Sequence, residues 1–290
     1  MIDLEKIRKQ KPIKELLAFS IINIDKPTGP TSFTVDTYIK RALSVNKTSH
    51  FGTLDPMVTG VLPIALGRAC RLNEYFMHRN KTYVGIMRLH DEVPREKLEE
   101  ELKKFIGKIT QLPPVRSRVK RQERIREVMS FDIIEIDGKD VLFKTEVQAG
   151  TYIRKLIHDL GLAIGGAHML ELRRTQAGIF SENSKEFPLT TLYDFDKALE
   201  EYKNHNDKPL RKILIPAEVV SLAIPVVQVK SGNLRQLLTG KPLFKTDIAD
   251  KEEFAKVKDK FAAFFQEQFI GCYKLSTEGD IVARAEFVFN

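Results

Sequence analysis

The clearest indication of the fold class lies in residues 131–166, which read FDIIEIDGKDVLFKTEVQAGTYIRKLIHDLGLAIGG. Its first half contains two runs rich in β-branched and aromatic residues on either side of Asp137 and Gly138, a pair that favours a β-hairpin. In its second half, apolar residues recur at helical spacing behind a Gly-Thr start: Ile153, Leu156, Ile157, Leu160 and Ile164. A hairpin that leads directly into a helix favours an α+β fold over a doubly wound parallel sheet.

The preceding segments mix strands and helices in the same irregular way. Residues 19–26 have the composition of a short buried strand that stops at Pro27. Thr31 or Ser32 can then cap a helix, because both side chains accept hydrogen bonds from free backbone amides. Residues 81–90 again resemble a strand, and no internal repeat is visible. The α+β interpretation therefore extends beyond the opening stretch.

The charge balance of the chain favours a polyanionic partner. The 290 residues include 47 Lys and Arg against 39 Asp and Glu, a net charge of +8. Residues 222–290 contain 10 basic and 9 acidic residues, so nearly all of the surplus lies in residues 1–221. The densest basic run is LPPVRSRVKRQERIR, residues 112–126. We expect this run to form an exposed loop that meets phosphates, although a solvated face is the commoner explanation for a bare charge run.

Several classes of protein find no support in the sequence. Cys70 and Cys272 stand far apart without metal-ligand spacing, which is typical of reduced cysteines in a cytosolic protein. The six histidines form no helical pair of metal ligands, and no glycine-rich phosphate loop is present. The charged N-terminal residues lack the apolar core of a signal peptide. We therefore expect a soluble, cytoplasmic protein that uses no metal and no cofactor.

Asp55 is the carboxylate that stands out. It lies in the turn GTLDP, where Pro56 fixes the following φ and where Gly52 and Gly60 let the backbone approach a ligand. Asp-Pro is also a common turn pair, so a structural role is an alternative. No second carboxylate has the spacing of a glycosidase pair.

Five stretches in order resemble the TruB/dyskerin family of RNA pseudouridine synthases. They cover about residues 19–220 and read NIDKPTGPTS at 23–32, GTLDPMVTGVLPIALGRACRL at 52–72, KTYVGIMRLH at 81–90, QLPPVRSRVKRQER at 111–124, and AGTYIRKLIHDLG with GAHMLELRRTQAG through 178. The MRLH and LPPVRSRVKR segments are more similar to the archaeal and eukaryotic H/ACA branch than to bacterial TruB, and this resemblance implies a prokaryotic, archaeal-type H/ACA synthase. The resemblance implies a catalytic domain with a mixed or antiparallel sheet and flanking helices.

Members of this family isomerise uridine to pseudouridine by detaching the base, turning it and rejoining it through carbon. The resemblance implies that Asp55 is the catalytic carboxylate and that Arg154, in the matching TYIR segment, pairs with it. A single ionised carboxylate suits a role as nucleophile or as base toward the sugar. No cofactor is required for this chemistry.

The resemblance also assigns a pocket for the flipped base. Tyr83 matches the family's stacking tyrosine and is expected to be a catalytic residue together with Asp55 and Arg154. Tyr152 and Leu172 are expected to line the pocket, because apolar surfaces replace the stacking that a flipped base loses. Packing in the core is an alternative role for Leu172. His50 corresponds to a histidine that touches RNA near the flipped base.

The basic run matches the family's thumb loop, which closes over the substrate. The expected RNA-binding residues are Lys81, Arg116, Arg118, Lys120 and Arg121. One departure from the family pattern is Phe51, which follows His50 where members usually carry Ser or Thr. This difference puts the local RNA contact in doubt but leaves Asp55 in place.

By the same resemblance, residues 1–221 form the catalytic domain, and its N-terminal extension, residues 1–18, packs back against the C-terminal part. Residues 222–290 are expected to form a reduced, mostly β, PUA-like RNA-binding domain. Within it, residues 247–269 carry apolar side chains at helical spacing, which predicts an amphipathic helix that interrupts the module. We expect its aromatic residues to lie in the core.

The implied partners are RNA and small proteins. The resemblance implies a ribonucleoprotein in which an H/ACA guide RNA and three small accessory proteins direct the enzyme to rRNA or tRNA. One alternative is a stand-alone synthase for the T-loop uridine of tRNA, which the short C-terminal domain favours. Another is a scaffold that binds RNA without catalysis. No membrane partner is expected, and DNA is disfavoured because no helix-turn-helix or basic zipper appears.

Overall fold

The computed structural model describes residues 2–113 and 120–290. Its strands are β1 Phe19–Lys26, β2 Thr48–His50, β3 Thr59–Gly67, β4 Lys81–Leu89, β5 Gly107–Gln111, β6 Arg124–Asp137, β7 Asp140–Val147, β8 Ala167–Ala177, β9 Phe180–Ser181, β10 Thr190–Thr191, β11 Ile215–Pro216, β12 Val226–Gln228, β13 Leu243–Phe244, β14 Lys260–Phe265, β15 Gln268–Leu275 and β16 Ile281–Val288. Its α-helices are α1 Leu4–Gln10, α2 Ile13–Ala18, α3 Ser32–Ala42, α4 Asn73–Met77, α5 Arg95–Lys103, α6 Ile153–Ile164, α7 Leu192–Lys203, α8 Lys208–Ile213, α9 Leu234–Leu238 and α10 Lys251–Ala255.

The larger sheet is mixed and carries the elements of the first 216 residues. Its strands follow the order β10-β1-β3-β8-β4-β7-β6-β5, with β11 beside β1, β2 beside β3 and β9 beside β8. Most neighbours are antiparallel, whereas β1 runs parallel to β10 and β3 runs parallel to β8. Helices α3, α5, α6 and α7 bury apolar faces beside it. This arrangement confirms the predicted α+β class with a mixed sheet.

The opening stretch folds as predicted. Strands β6 and β7 form an antiparallel hairpin that closes between Asp137 and Asp140. Helix α6 then begins at Ile153, and all five apolar residues of the predicted stripe are buried. Gly165 ends the helix in a left-handed conformation, as glycine commonly does at this position.

The smaller sheet is built from residues 226–288 in the order β12-β14-β15-β16-β13. The predicted amphipathic helix over residues 247–269 is wrong, because only α10 is α-helical there and Lys260–Phe265 forms strand β14. Phe261 and Phe264 lie in different apolar clusters, so this strand is buried on both faces. A strand buried on both faces has no polar alternation, and its apolar run resembles a helix stripe. Phe261 and Phe264 lie in the core, as expected, whereas Phe254 and Phe265 are half-buried and pack against it.

One buried cluster joins the two sheets and the N-terminal residues. Phe19 of β1 stacks on Phe269 of β15 with ring centroids 5.5 Å apart. Leu4 of α1 belongs to the same cluster, and Lys6 forms a 2.8 Å ion pair with Glu267. The N-terminal extension therefore packs against the C-terminal strands, as expected. None of the helices that the structure describes is long and apolar enough to cross a membrane.

Candidate active site

Asp55 and Arg154 meet at the surface of the larger sheet. Asp55 lies in the loop between β2 and β3, and Arg154 lies in the first turn of α6. Arg154 Nη2 is 2.6 Å from Asp55 Oδ2. The two side chains are 57% and 49% exposed, respectively. The expected pair thus forms, and it stays open to a substrate that approaches from solvent.

Four hydrogen bonds from the segment between β1 and α3 hold the loop around Asp55. Ser32 Oγ donates to the Leu54 carbonyl at 2.9 Å and accepts from the Leu54 amide at 2.8 Å. Lys26 Nζ donates to the Pro56 carbonyl at 3.0 Å, and the Gly29 amide donates to the same oxygen at 2.9 Å. Thr31, rather than Ser32, caps α3, which leaves Ser32 free for this role. The residues on both sides of Asp55 are therefore fixed through their backbone atoms.

Lys26 adds positive charge beneath the same loop. Lys26 is fully buried. Burial lowers the pKa of Lys26, and the charge of Asp55 acts in the opposite direction. The negative charge of Asp55 thus stabilises the charged form of Lys26.

Tyr83 and Leu172 lie side by side on β4 and β8. Tyr83 is opposite Arg174 in the antiparallel register, and Leu172 is opposite Gly85. Cross-strand partners point to the same face of a sheet. Both Tyr83 and Leu172 belong to the main apolar cluster, with 8% and 7% of their surfaces exposed. The structure thus brings two of the predicted pocket residues together.

Tyr152 immediately precedes α6 and joins it to β5. The Gln111 side chain donates to the Tyr152 carbonyl at 3.2 Å and accepts from the Tyr152 amide at 3.0 Å. Gln111 is only 2% exposed and ends β5 just before the basic run. The same two hydrogen bonds therefore fix the start of the basic run and the residue two positions before Arg154.

His50 contacts a residue of α3 and a residue of the Asp55 loop. Its Nδ1 lies 3.2 Å from Asp36 Oδ2, and its Nε2 lies 3.1 Å from Thr53 Oγ1. Thr53 is two residues from Asp55, so His50 borders the site as expected. Phe51 is 1% exposed and stacks on Phe76 at 4.9 Å, so its side chain enters the core. The departure from the family pattern is thus a change in the core rather than at the surface.

The structure contradicts the assignment of Lys81 as an RNA-binding residue. Lys81 is 5% exposed, and its Nζ donates to the backbone carbonyls of Met77 and Arg79. Burial, together with the nearby charge of Arg174, lowers the pKa of Lys81 to about 7. A phosphate cannot reach this amine from the surface. Lys120 and Arg121 are exposed, whereas Arg116 and Arg118 lie outside the described residues.

Several residues that hold the site were not singled out from the sequence. They are Lys26, Ser32, Gln111 and Arg174. All four stand in the quoted stretches NIDKPTGPTS, QLPPVRSRVKRQER and GAHMLELRRTQAG, which was the available signal. Among the described residues, no group of three or more His, Cys, Asp or Glu side chains could hold a metal ion.

Comparisons with known proteins agree with this geometry. The model of the TruB family pseudouridylate synthase N-terminal domain matches residues 40–153, and the tRNA pseudouridylate synthase B C-terminal domain matches residues 154–221. A protein of Thermococcus onnurineus named "Probable tRNA pseudouridine synthase B" is 40% identical over 96% of this chain and 84% of its own length. The chain belongs to the TruB family of pseudouridine synthases. It is therefore an RNA pseudouridine synthase, an isomerase that converts uridine to pseudouridine.

The chain is also similar to a second archaeal relative and to two solved structures. A Methanopyrus kandleri protein with the same printed name is 43% identical over 88% of this chain and 75% of its own length. The solved Cbf5-Nop10-Gar1 complex contains a chain with a TM-score of 0.87 and 38% identity, matched over 98% of this chain and 88% of that one. An H/ACA RNP bound to a substrate RNA containing 2'-deoxyuridine gives a TM-score of 0.85 at 35% identity, over 98% and 89% of the two chains. Both TruB-family structures share the two-sheet fold described above.

Proposed function

We propose that this TruB-family enzyme uses Asp55 as the group that attacks or deprotonates the sugar of a flipped uridine. The observation that supports this role is the 2.6 Å pair between Asp55 and Arg154, which is half exposed on a loop fixed by buried contacts. The guanidinium holds the carboxylate in one orientation, since a charge-assisted hydrogen bond is both strong and directional. Once the base is detached, the same pair faces the sugar and the turning base.

The neighbouring side chains then form the pocket for the base. Tyr83 stacks on the uracil ring, and Leu172 and Tyr152 exclude water from the opposite side. Flipping a base costs a few kcal/mol of lost stacking, and such surfaces return part of it. His50 contacts the RNA backbone next to the flipped nucleotide. Lys120 and Arg121, with Arg116 and Arg118 of the same run, bind phosphates.

The enzyme acts as the catalytic subunit of an H/ACA guide ribonucleoprotein. Support comes from the two solved assemblies, one with Nop10 and Gar1 and one with a substrate RNA, whose matched chains cover nearly all of this one. In this role, pairing with the guide RNA selects the uridine, and the protein reads shape and phosphates. Residues 1–221 form the catalytic domain and residues 222–290 the PUA-like domain. The archaeal relatives support a cytoplasmic location.

A stand-alone tRNA synthase is the second candidate. The printed names of the Thermococcus and Methanopyrus relatives refer to tRNA, and this supports a tRNA uridine as substrate without a guide. Incubation of the purified chain with a tRNA transcript separates the two functions. Pseudouridine formed by the chain alone supports the stand-alone function, and product formed only with guide RNA and accessory proteins supports the ribonucleoprotein. An Asp55→Ala chain measured beside each sample must form no product.

A further inference from the structure

Arg174 is a buried cation with no acidic partner in the described part of the chain. It is 1% exposed and is the largest of the fully buried side chains in the described part of the protein. Its neighbour Arg173 points to the other face and binds Asp25 and Glu182 at 2.8–3.0 Å. Among the residues that the structure describes, no Asp or Glu forms an ion pair with Arg174. Burial lowers the pKa of Arg174 as a result, although the hydroxyl of Tyr83 opposes this effect.

The Arg174 guanidinium binds the two ends of the Asp55 loop. Its Nη2 donates to the Gly52 carbonyl at 2.9 Å, and its Nε donates to the Val61 carbonyl at 2.8 Å. Gly52 precedes Asp55 by three residues, and Val61 follows it by six. Because guanidinium is planar and rigid, these two bonds fix the separation of the loop ends.

The backbone of Arg174 is equally close to the loop. Gly60, at the start of β3, pairs with Arg174 and has a φ of +100°. A Cβ atom built on Gly60 would lie 2.2 Å from the Arg174 carbonyl oxygen, so no larger residue fits there. Side chain and backbone of Arg174 therefore both determine where the loop joins the sheet.

The same guanidinium reaches Tyr83. Tyr83 is the cross-strand partner of Arg174, so the two side chains lie on the same face of the sheet. The Tyr83 hydroxyl interacts electrostatically with the guanidinium and raises the pKa of Arg174. One buried group thus links the loop that carries Asp55 with the strand position of the ring that is proposed to stack on the base.

Burying a cation without a carboxylate is costly, and removing its partners would cost more. Two carbonyl dipoles and a phenol oxygen compensate Arg174. We propose that Arg174 is a positioning residue for pseudouridine formation, which sets the distance between the Asp55 carboxylate and the Tyr83 ring without touching the substrate. This inference rests on the roles proposed for Asp55 and Tyr83.

The test compares Arg174→Lys with a matched control, Arg211→Lys. Arg211 also donates to two backbone carbonyls, those of Arg8 and Lys11, but it belongs to α8 and contacts the N-terminal extension. Lysine keeps the charge in both variants and cannot hold two carbonyls in a fixed fork. The substrate is a tRNA transcript with tritium at uracil C5, which is released when the new carbon bond forms. Where the wild type needs guide RNA and accessory proteins, every variant is measured in the same complex.

With enzyme in excess, Arg174→Lys should lower the single-turnover rate by about 10- to 100-fold, because small misplacements of reacting groups have effects of this size. Its Kd for RNA should change by less than about 3-fold, since Arg174 meets no phosphate. Arg211→Lys should lose thermal stability and keep its rate within about 2-fold. An Arg174→Lys rate equal to that of Arg211→Lys, or a loss confined to RNA affinity, overturns the proposal.

A second measurement isolates the link to Tyr83. Tyr83→Phe keeps the ring and removes the hydroxyl that interacts electrostatically with Arg174. The double variant Tyr83→Phe/Arg174→Lys should lose less rate than the product of the two single losses, because both changes disrupt the same cross-strand interaction. Fully multiplicative losses contradict the proposal. An active Asp55→Asn enzyme would instead refute the proposed function, so the two failures are distinguishable.

Discussion

Ser32→Ala tests whether the Asp55 loop owes its position to one buried hydroxyl. Ser32 is fully buried and makes two hydrogen bonds to Leu54, whose side chain is 3% exposed, so water cannot replace the lost hydroxyl. A buried amide or carbonyl left without a partner costs about 1–3 kcal/mol. Two such groups give about 2–6 kcal/mol, and we expect about 2–4 kcal/mol because a small shift of the loop recovers part of the loss.

The assay measures the free energy of unfolding in urea and the single-turnover rate on the same RNA. The rate should fall by about 10- to 100-fold, because Leu54 is the residue before Asp55. Ser20→Ala is the matched control, since Ser20 is also fully buried but its hydroxyl has no hydrogen-bond partner among the described residues. Its stability should stay within about 1 kcal/mol of the wild type. The reasoning is refuted if Ser32→Ala costs no more than Ser20→Ala.

Two further predictions concern buried and exposed cations. Lys81 has a pKa of about 7 in the folded chain, below the ordinary 10.5, so the unfolded chain binds more protons between these values. The free energy of unfolding of the wild type should therefore rise from pH 7 to pH 10.5 relative to that of Lys81→Met. Urea titrations of both proteins at several pH values measure this difference. If the two free energies changed with pH in parallel, the result would contradict a buried amine at Lys81. Replacing both Lys120 and Arg121 by Glu should weaken RNA binding and reduce the slope of log Kd against log salt by about 0.7–0.9 for each phosphate that the variant no longer binds. The exposed Lys97→Glu on α5 is the control, and an unchanged slope in the Lys120/Arg121 variant would remove the basic run from the RNA-binding surface.

Local patterns predicted the elements that depend on local interactions. The β6–β7 hairpin and α6 follow from the Asp137-Gly138 pair and from one apolar stripe, and both form at the expected residues. The helix prediction for the segment around Phe261 and Phe264 was wrong because these residues pack into two clusters on opposite faces, which only the tertiary structure creates. Residue spacing cannot distinguish that case from a buried helix.

The residues of the candidate site also fall into a group that could be predicted from the sequence and a group that could not. Asp55, Arg154, Tyr83 and Leu172 could be named because they stand in motifs that resemble the family. Lys81 stands in such a motif too, but its burial depends on carbonyls presented by the turn before β4. Ser32 and Arg174 bind backbone atoms 22 and 122 residues away, at Leu54 and Gly52. Since every residue has a carbonyl and almost every residue an amide, hydrogen bonds of this kind leave no pattern in the sequence.

The most direct test of the account is the rate of pseudouridine formation by Asp55→Asn. Asparagine keeps the size of the side chain and removes its charge, so the variant loses the nucleophile or base without opening a cavity. Asp140→Asn is the matched control, because Asp140 forms a partly exposed pair with Arg88 at the same 2.6 Å, at the opposite end of β4 from Tyr83. Asp55→Asn should form no pseudouridine while its Kd for RNA stays within about 3-fold of the wild type, since phosphate contacts come from other residues; Asp140→Asn should be fully active. Pseudouridine mapped at the same uridine in the Asp55→Asn sample would contradict the central claim.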